Sequence, residues 1–169
     1  MSDLTRWIAR RRVALGFAVG ALAIWLARPT PRSLAIGAIV AIAGELFRIW
    51  AAGHLEKGRE VTMSGPYRLT RHPLYAGSAI LGAGLAIAAS SAIVAVMVAA
   101  YLALTLGAAI RTEEAHLTEK FGAAYPAYRE GRGPHVARRF SLARARRNRE
   151  HRALLGLLAA LALLSWKAL

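Results

Sequence analysis

The chain has no cysteine, which excludes disulfides, thiolate metal sites and a cysteine nucleophile. Acidic residues are scarce: 9 Asp and Glu stand against 23 Lys and Arg, leaving a net charge of +14. Charge of either sign is missing from long stretches. The runs Val13 to Ala27, Ser33 to Ala52, Leu74 to Ala89 and Ser91 to Ile110 carry only Glu45 and Arg48 between them. With 56% hydrophobic residues and a mean hydropathy of +0.38, the chain is too apolar for an ordinary soluble domain and too charged to lie wholly in a membrane. The two properties are segregated along it.

A spanning helix needs about 20 mostly apolar residues. The second and fourth runs reach that length, and the first and third do so if flanking arginines snorkel. A fifth run, Ala153 to Trp166, is shorter. These lengths predict an all-α fold: a polytopic membrane helix bundle of about five helices, near 13–27, 33–52, 73–89, 91–120 and 153–166, in one integral membrane domain over residues 1–169. No small-residue cleavage site precedes Arg28 and Pro29, so the first run is expected to be a retained helix. Basic residues number four before the first helix, four between the second and third and eleven between the fourth and fifth, against three on the opposite side. That asymmetry predicts a cytoplasmic N-terminus. The arginines of 138–152 read as a membrane-surface segment attracting anionic lipid rather than as a nucleic-acid site, because they are flanked by spanning helices and lack interleaved aromatics.

Polar, aromatic and titratable residues concentrate in two segments, Gly65 to Gly77 (GPYRLTRHPLYAG) and Glu113 to Tyr128 (EEAHLTEKFGAAYPAY). They flank a predicted tight hairpin of helices 3 and 4, joined only by Ala89-Ser90-Ser91, so both fall at one cytoplasmic membrane face. Gly77, Ser78, Gly82, Gly84 and Ala88 permit close helix packing. No strand precedes Gly82-Ala83-Gly84, so the context of a dinucleotide-binding turn is missing and helix packing is the expected role there. His72-Pro73 predicts a helix starting at Pro73 with His72 at its cap. The free N–H groups of that end suit an anionic group such as a ligand carboxylate. Glu113 and Glu114 are adjacent carboxylates at a membrane edge, and Glu45 and Arg48 lie three apart on one helix face within the membrane. Intramembrane charges pair or line a cavity, and either role fits these two.

Gly65-Pro66-Tyr67, Arg71-His72-Pro73, Tyr75 and Gly77, followed by Glu113-Glu114, Leu117, Phe121-Gly122, Tyr125 and Tyr128, resemble the signature of the isoprenylcysteine carboxyl methyltransferase and phospholipid methyltransferase group of integral-membrane enzymes. The resemblance covers a motif core of 61–128. It implies an S-adenosylmethionine-dependent methyltransferase acting on a lipidic or membrane-partitioned acceptor, a carboxylate or an amine, in the lipid bilayer. The cofactor positions it implies are Val61, Thr62, Tyr67, His72, Pro73, Leu74, Tyr75 and Glu113, with no metal. On the acceptor side, Arg111 or Arg48 would orient a carboxylate, and Glu114 or His72 would take a proton from an amine. Isoprenylcysteine-type members carry an arginine where this chain has Ala109. The alternatives are an NADPH-dependent membrane sterol or enone reductase and a noncatalytic protein binding anionic lipid.

Overall fold

Prolines and hydroxyl caps set where the helices begin. In the computed structural model, which describes residues 3–132 and 138–169, seven α-helices run α1 Asp3–Leu26, α2 Pro31–His54, α3 Pro73–Ala89, α4 Ala92–Phe121, α5 Ala124–Arg129, α6 Leu142–Arg147 and α7 Glu150–Lys167, with a 3-10 turn at Gly65–Arg68. The fold is all-α, and no strand occurs among the described residues. At the start of α2 the Thr30 hydroxyl accepts from the Ser33 N–H (3.1 Å), while the Thr30 N–H donates to Ser33 Oγ (2.9 Å). This reciprocal cap, with Pro31 in the first turn, satisfies two donors that a helix start leaves free. Pro73 likewise opens α3, with His72 as its cap residue. Left-handed Ser90 ends α3, and the Ser91 hydroxyl caps α4 by accepting from Val94 N–H.

Two of the helices, α2 and α4, are long and apolar enough to cross a membrane. The distribution of side-chain size reinforces this. Large apolar residues point outward (Phe17 77% exposed, Ile39 70%, Val96 70%) while the interior is built of small ones, such as Ala41, Ala51, Ala52, Ala88 and Ala89. An aqueous protein would hide the large residues; a bundle in lipid gains nothing by hiding them and instead packs backbones closely. Trp25 and Trp166 are both exposed at the ends of α1 and α7, where indole rings suit a membrane interface.

The closest contact is between α2 and α3. A Cβ added at Gly37 would lie 2.4 Å from the Ala88 nitrogen, one at Gly44 2.4 Å from the Leu81 nitrogen, and one at Gly84 2.3 Å from the Ala41 nitrogen. Gly82 faces the other way, toward Leu102 of α4, so the small residues of α3 serve two neighbours and the α3–α4 hairpin is only one of them. Gly84→Ala is expected to force the helices apart, because backbone atoms rather than a flexible side chain occupy the space. Overpacking of this kind typically costs 1–3 kcal/mol, and a lowered melting midpoint in detergent would register it; an unchanged midpoint would show that α2 and α3 can separate freely.

The helices differ from the sequence expectation mainly at their ends. α1 begins near the start of the chain, α2 adds two residues at each end, and α7 begins at Glu150 rather than Ala153. α7 runs the full depth of the bundle, from the level of Ala52, whose carbonyl accepts from Asn148, to that of Ile24, whose carbonyl accepts from Lys167 Nζ (2.8 Å). Ala27, Ala88, Ala89, Val94 and Leu164 plug that far end, and the Arg28 N–H seals it with a 2.8 Å bond to the Ala89 carbonyl.

Candidate active site

A cavity of about 710 Å³ runs between α1, α3, α4 and α7. Its polar mouth is formed by Lys57, Tyr67, Arg71, His72, Glu113 and Asn148, and its inner arm by Ala23, Leu85, Ala89, Val98, Leu157 and Leu164, among others. Along α3 the wall passes from Leu74 through Ser78, Leu81 and Leu85 to Ala89, one helical stripe. At 1.5 Å per residue that stripe is roughly 22 Å long. The cavity, mouth and arm together, therefore extends over most of the thickness of a hydrocarbon core of about 30 Å.

Both polar segments meet at the mouth. Proline fixes the start of α3, and the His72 ring, rather than capping the helix, turns sideways to bring Nε2 to 3.0 Å from Glu114 Oε1. Arg71 approaches the same carboxylate oxygen at 3.5 Å. The His72 ring also stacks on Tyr75, with centroids 5.8 Å apart. α5 closes the arrangement: the Tyr128 hydroxyl donates to the Tyr67 carbonyl at 2.7 Å, tying the second segment onto the 3-10 turn of the first. Tyr67 is buried, and burial first and the Glu113 charge second push its hydroxyl far above its ordinary pKa. Burial likewise drives the hydroxyls of Tyr125 and Tyr128 up to about 12. All three remain protonated at physiological pH.

The two adjacent glutamates separate. Glu114 is taken by His72 and Arg71, whereas Glu113 lines the cavity and makes no hydrogen bond or ion pair with the described residues. Of the positions singled out in the sequence, Tyr67, His72, Pro73, Leu74, Tyr75, Glu113 and Arg48 line the cavity. Val61, Thr62, Arg111 and Glu114 lie outside the lining. Thr62 is buried and braces the loop after α2, its hydroxyl accepting from the Glu56 N–H at 3.1 Å. Arg111 is exposed.

Arg48 sits at the junction of the mouth and the arm. Its Nε and Nη2 donate to Glu150 at 2.9–3.1 Å, Nη1 donates to the Ser78 hydroxyl and approaches the Leu74 carbonyl, and Nε lies 3.4 Å from Glu45. One guanidinium thus ties α2, α3 and α7 together with two carboxylates around it. Glu150, Asn148 and Ser78 were not anticipated as lining residues. Glu150 did carry a signal: it is the only acidic residue after Glu130, standing at the start of an apolar helix where a buried intramembrane arginine needs a partner.

The rest of the arginine-rich segment explains how α7 is seated. Arg144 donates to Glu56 (2.7 Å), Arg147 pairs with the same carboxylate (3.1 Å) and Arg138 pairs with Glu60 (2.7 Å). Partial burial opposes ionisation of Glu56, but the Arg144 hydrogen bond and the Arg147, Arg144 and Arg138 charges outweigh it and hold the carboxyl below its ordinary range. Asn148 Nδ2 donates to the Ala52 and Leu55 carbonyls, at 2.9 Å each, satisfying acceptors that the end of α2 leaves open.

A lipid-facing helical bundle around a long cavity, polar at one end and apolar at the other, is the architecture of an integral membrane protein. The phospholipid methyltransferase family profile matches residues 11–124, more than half of the chain, and the chain belongs to that family of membrane methyltransferases. Over 96 residues it is 38% identical to the cobalt-zinc-cadmium resistance protein CzcN of Cupriavidus metallidurans, an alignment taking in 54% of this chain and 44% of that protein. The chain thus spans less than half the length of the curated relative it matches. No solved structure matches it.

Proposed function

We propose that the protein is an S-adenosylmethionine-dependent methyltransferase acting on a lipidic acceptor, with the cofactor bound at the mouth and the acceptor in the arm. The observation that carries this reading is the continuity of the cavity, from Tyr67, His72, Tyr75 and Glu113 to the apolar lining of α1, α3 and α7. The charge asymmetry of the loops supports a cytoplasmic mouth.

The residues at the mouth fit the cofactor. The opening turn of α3, with Leu74 and Tyr75 in the lining, presents a helix N-terminus suited to a carboxylate, and Glu113, whose oxygens bond to none of the described residues, can accept from an ammonium or from ribose hydroxyls. When bound, the cofactor supplies an electrophilic methyl group on a sulfonium. The protein's part is to orient the acceptor and keep water away, and positioning alone can contribute on the order of 7–11 kcal/mol. His72 lines the cavity with Glu114 behind it, so His72 is placed to take a proton from the acceptor while Glu114 and Arg71 fix its ring.

The acceptor head is best read as an amine or another group without negative charge. Arg48 is already engaged by Glu150, Glu45, Ser78 and Leu74, and the lining residue Ala109 stands where isoprenylcysteine-type members carry an arginine. A carboxylate there would be a third anion in a poorly solvated place, and like charges at close range disfavour ionisation. Titration calorimetry of the intact protein in detergent tests the cofactor assignment. Heat is expected on adding S-adenosylhomocysteine and none on adding NADPH; silence with the former, or binding of the latter alone, would overturn it.

A further inference from the structure

The arginines of 138–152 divide into two sets. Arg138 and Arg144 turn inward and, with the more exposed Arg147, are paired to Glu60 and Glu56, and Glu150 is paired to Arg48. Arg139, Arg146, Arg149 and Arg152 are exposed, and their guanidinium groups have no hydrogen bond or ion pair with the described residues. Four like charges are held close together on a short segment while the neighbouring carboxylates are spent elsewhere. Such a surface attracts an external counter-charge.

Its depth identifies the counter-charge. The exposed apolar face of α7 begins at Leu154 and Leu155 (38% and 63% exposed) and continues through Leu158, so the hydrocarbon boundary falls within one turn of Arg149 and Arg152. Leu142, 63% exposed, and Phe140, 46% exposed, place further apolar surface on the same segment between the arginines. Exposed arginines flanking an outward Leu142 and a half-exposed Phe140 suit the headgroup layer, where guanidinium groups meet phosphates and apolar side chains reach toward the acyl region. The backbone enforces the division. Arg149 adopts a left-handed conformation, φ 66°, and breaks the chain between α6 and α7; Arg149 is exposed while its neighbour Glu150 is buried against Arg48.

We propose that the outward face of 138–152 binds the phosphate headgroups of anionic phospholipid through Arg139, Arg146, Arg149 and Arg152. The Arg149–Glu150 kink connects this surface to the cavity: holding Arg149 in the headgroup layer holds Glu150 against Arg48 and α7 in place as a cavity wall. The surface is independent of which group the enzyme methylates.

The intact protein, reconstituted in nanodiscs of phosphatidylcholine alone or with phosphatidylglycerol added, provides the test by hydrogen exchange of segment 138–155. Anionic discs are expected to slow exchange at least about fivefold, the worth of a single near-surface charge. The variant R139Q/R146Q/R149Q/R152Q should lose that difference while keeping its melting midpoint in neutral discs and its S-adenosylhomocysteine binding. Equal exchange of the unsubstituted protein in both discs, or full protection of the variant in anionic discs, would overturn the proposal. Inorganic phosphate added to neutral discs should give no protection; if it reproduces the effect, the site holds a free anion and not a lipid. Stronger protection by a DNA duplex in neutral discs than by anionic lipid would equally sink the assignment.

Discussion

Arg48→Ala is expected to destabilise the intact protein by about 3–5 kcal/mol, the usual cost of removing one partner from a buried ion pair. The side chain is mostly covered (19% exposed), and its partners Glu150 and Glu45 are more so, at 8% and 2%. Neither Glu45 oxygen has a hydrogen-bond partner among the described residues, and among these Arg48 is the cation that compensates it. Without the guanidinium, two carboxylates face each other in a place that solvates neither, and the Ser78 hydroxyl and Leu74 carbonyl lose a donor. Comparison with the triple variant R48M/E45Q/E150Q separates charge from packing. Because the cost arises from the stranded anions, the triple variant should unfold at a higher denaturant concentration than R48A, although it removes more polar contacts. If the two unfold together, the cluster contributes through packing alone. A loss below 1 kcal/mol in R48A would mean that water or a proton already compensates Glu45.

How much of this was legible in the sequence depended on the range of the interaction concerned. The start of α3 at Pro73 was readable because proline geometry is local, and the Glu45–Arg48 pair because three residues apart on a helix is a fixed direction. The partner of Arg48 was not, since Glu150 lies 102 residues away and periodicity cannot register a contact between separate helices. Glycines were ambiguous for a related reason. Gly37, Gly44, Gly77 and Gly84 announce a close approach without naming the neighbour, and it took the fold to assign them to the α2–α3 interface while leaving Gly82 to α4. The placement of both polar segments at one mouth followed from the short turn at Ser90. The apolar arm did not follow from any motif, because its α1 and α7 walls, among them Gly20, Ala23, Ala153 and Gly156, are ordinary membrane-helix residues. Spacing alone did not distinguish the adjacent glutamates, to which only the family resemblance gave different roles; helix phase sends Glu113 into the cavity and Glu114 to His72.

That separation of the two glutamates leads to the functional prediction of largest effect: Glu113→Ala should weaken S-adenosylhomocysteine binding at least tenfold, about 1.4 kcal/mol, with the loss read by titration calorimetry on the intact protein. A charged group accepting hydrogen bonds from a ligand is typically worth 1.5–3 kcal/mol. Glu113 has no competing partner among the described residues, so little of that value is held back by an alternative contact. The fold should tolerate the change. Removing a half-buried carboxylate that pairs with no described residue strands nothing, in contrast to Arg48→Ala, and relieves the repulsion between Glu113 and Glu114. The melting midpoint without ligand should therefore stay level or rise, while the ligand-induced increase shrinks. Glu114→Ala should give the opposite pattern. It releases His72 and Arg71, so its larger effect falls on methyl transfer, and its effect on ligand affinity is smaller. Equal loss of binding in both variants would assign the glutamates a shared structural role at the mouth and remove Glu113 from the cofactor site.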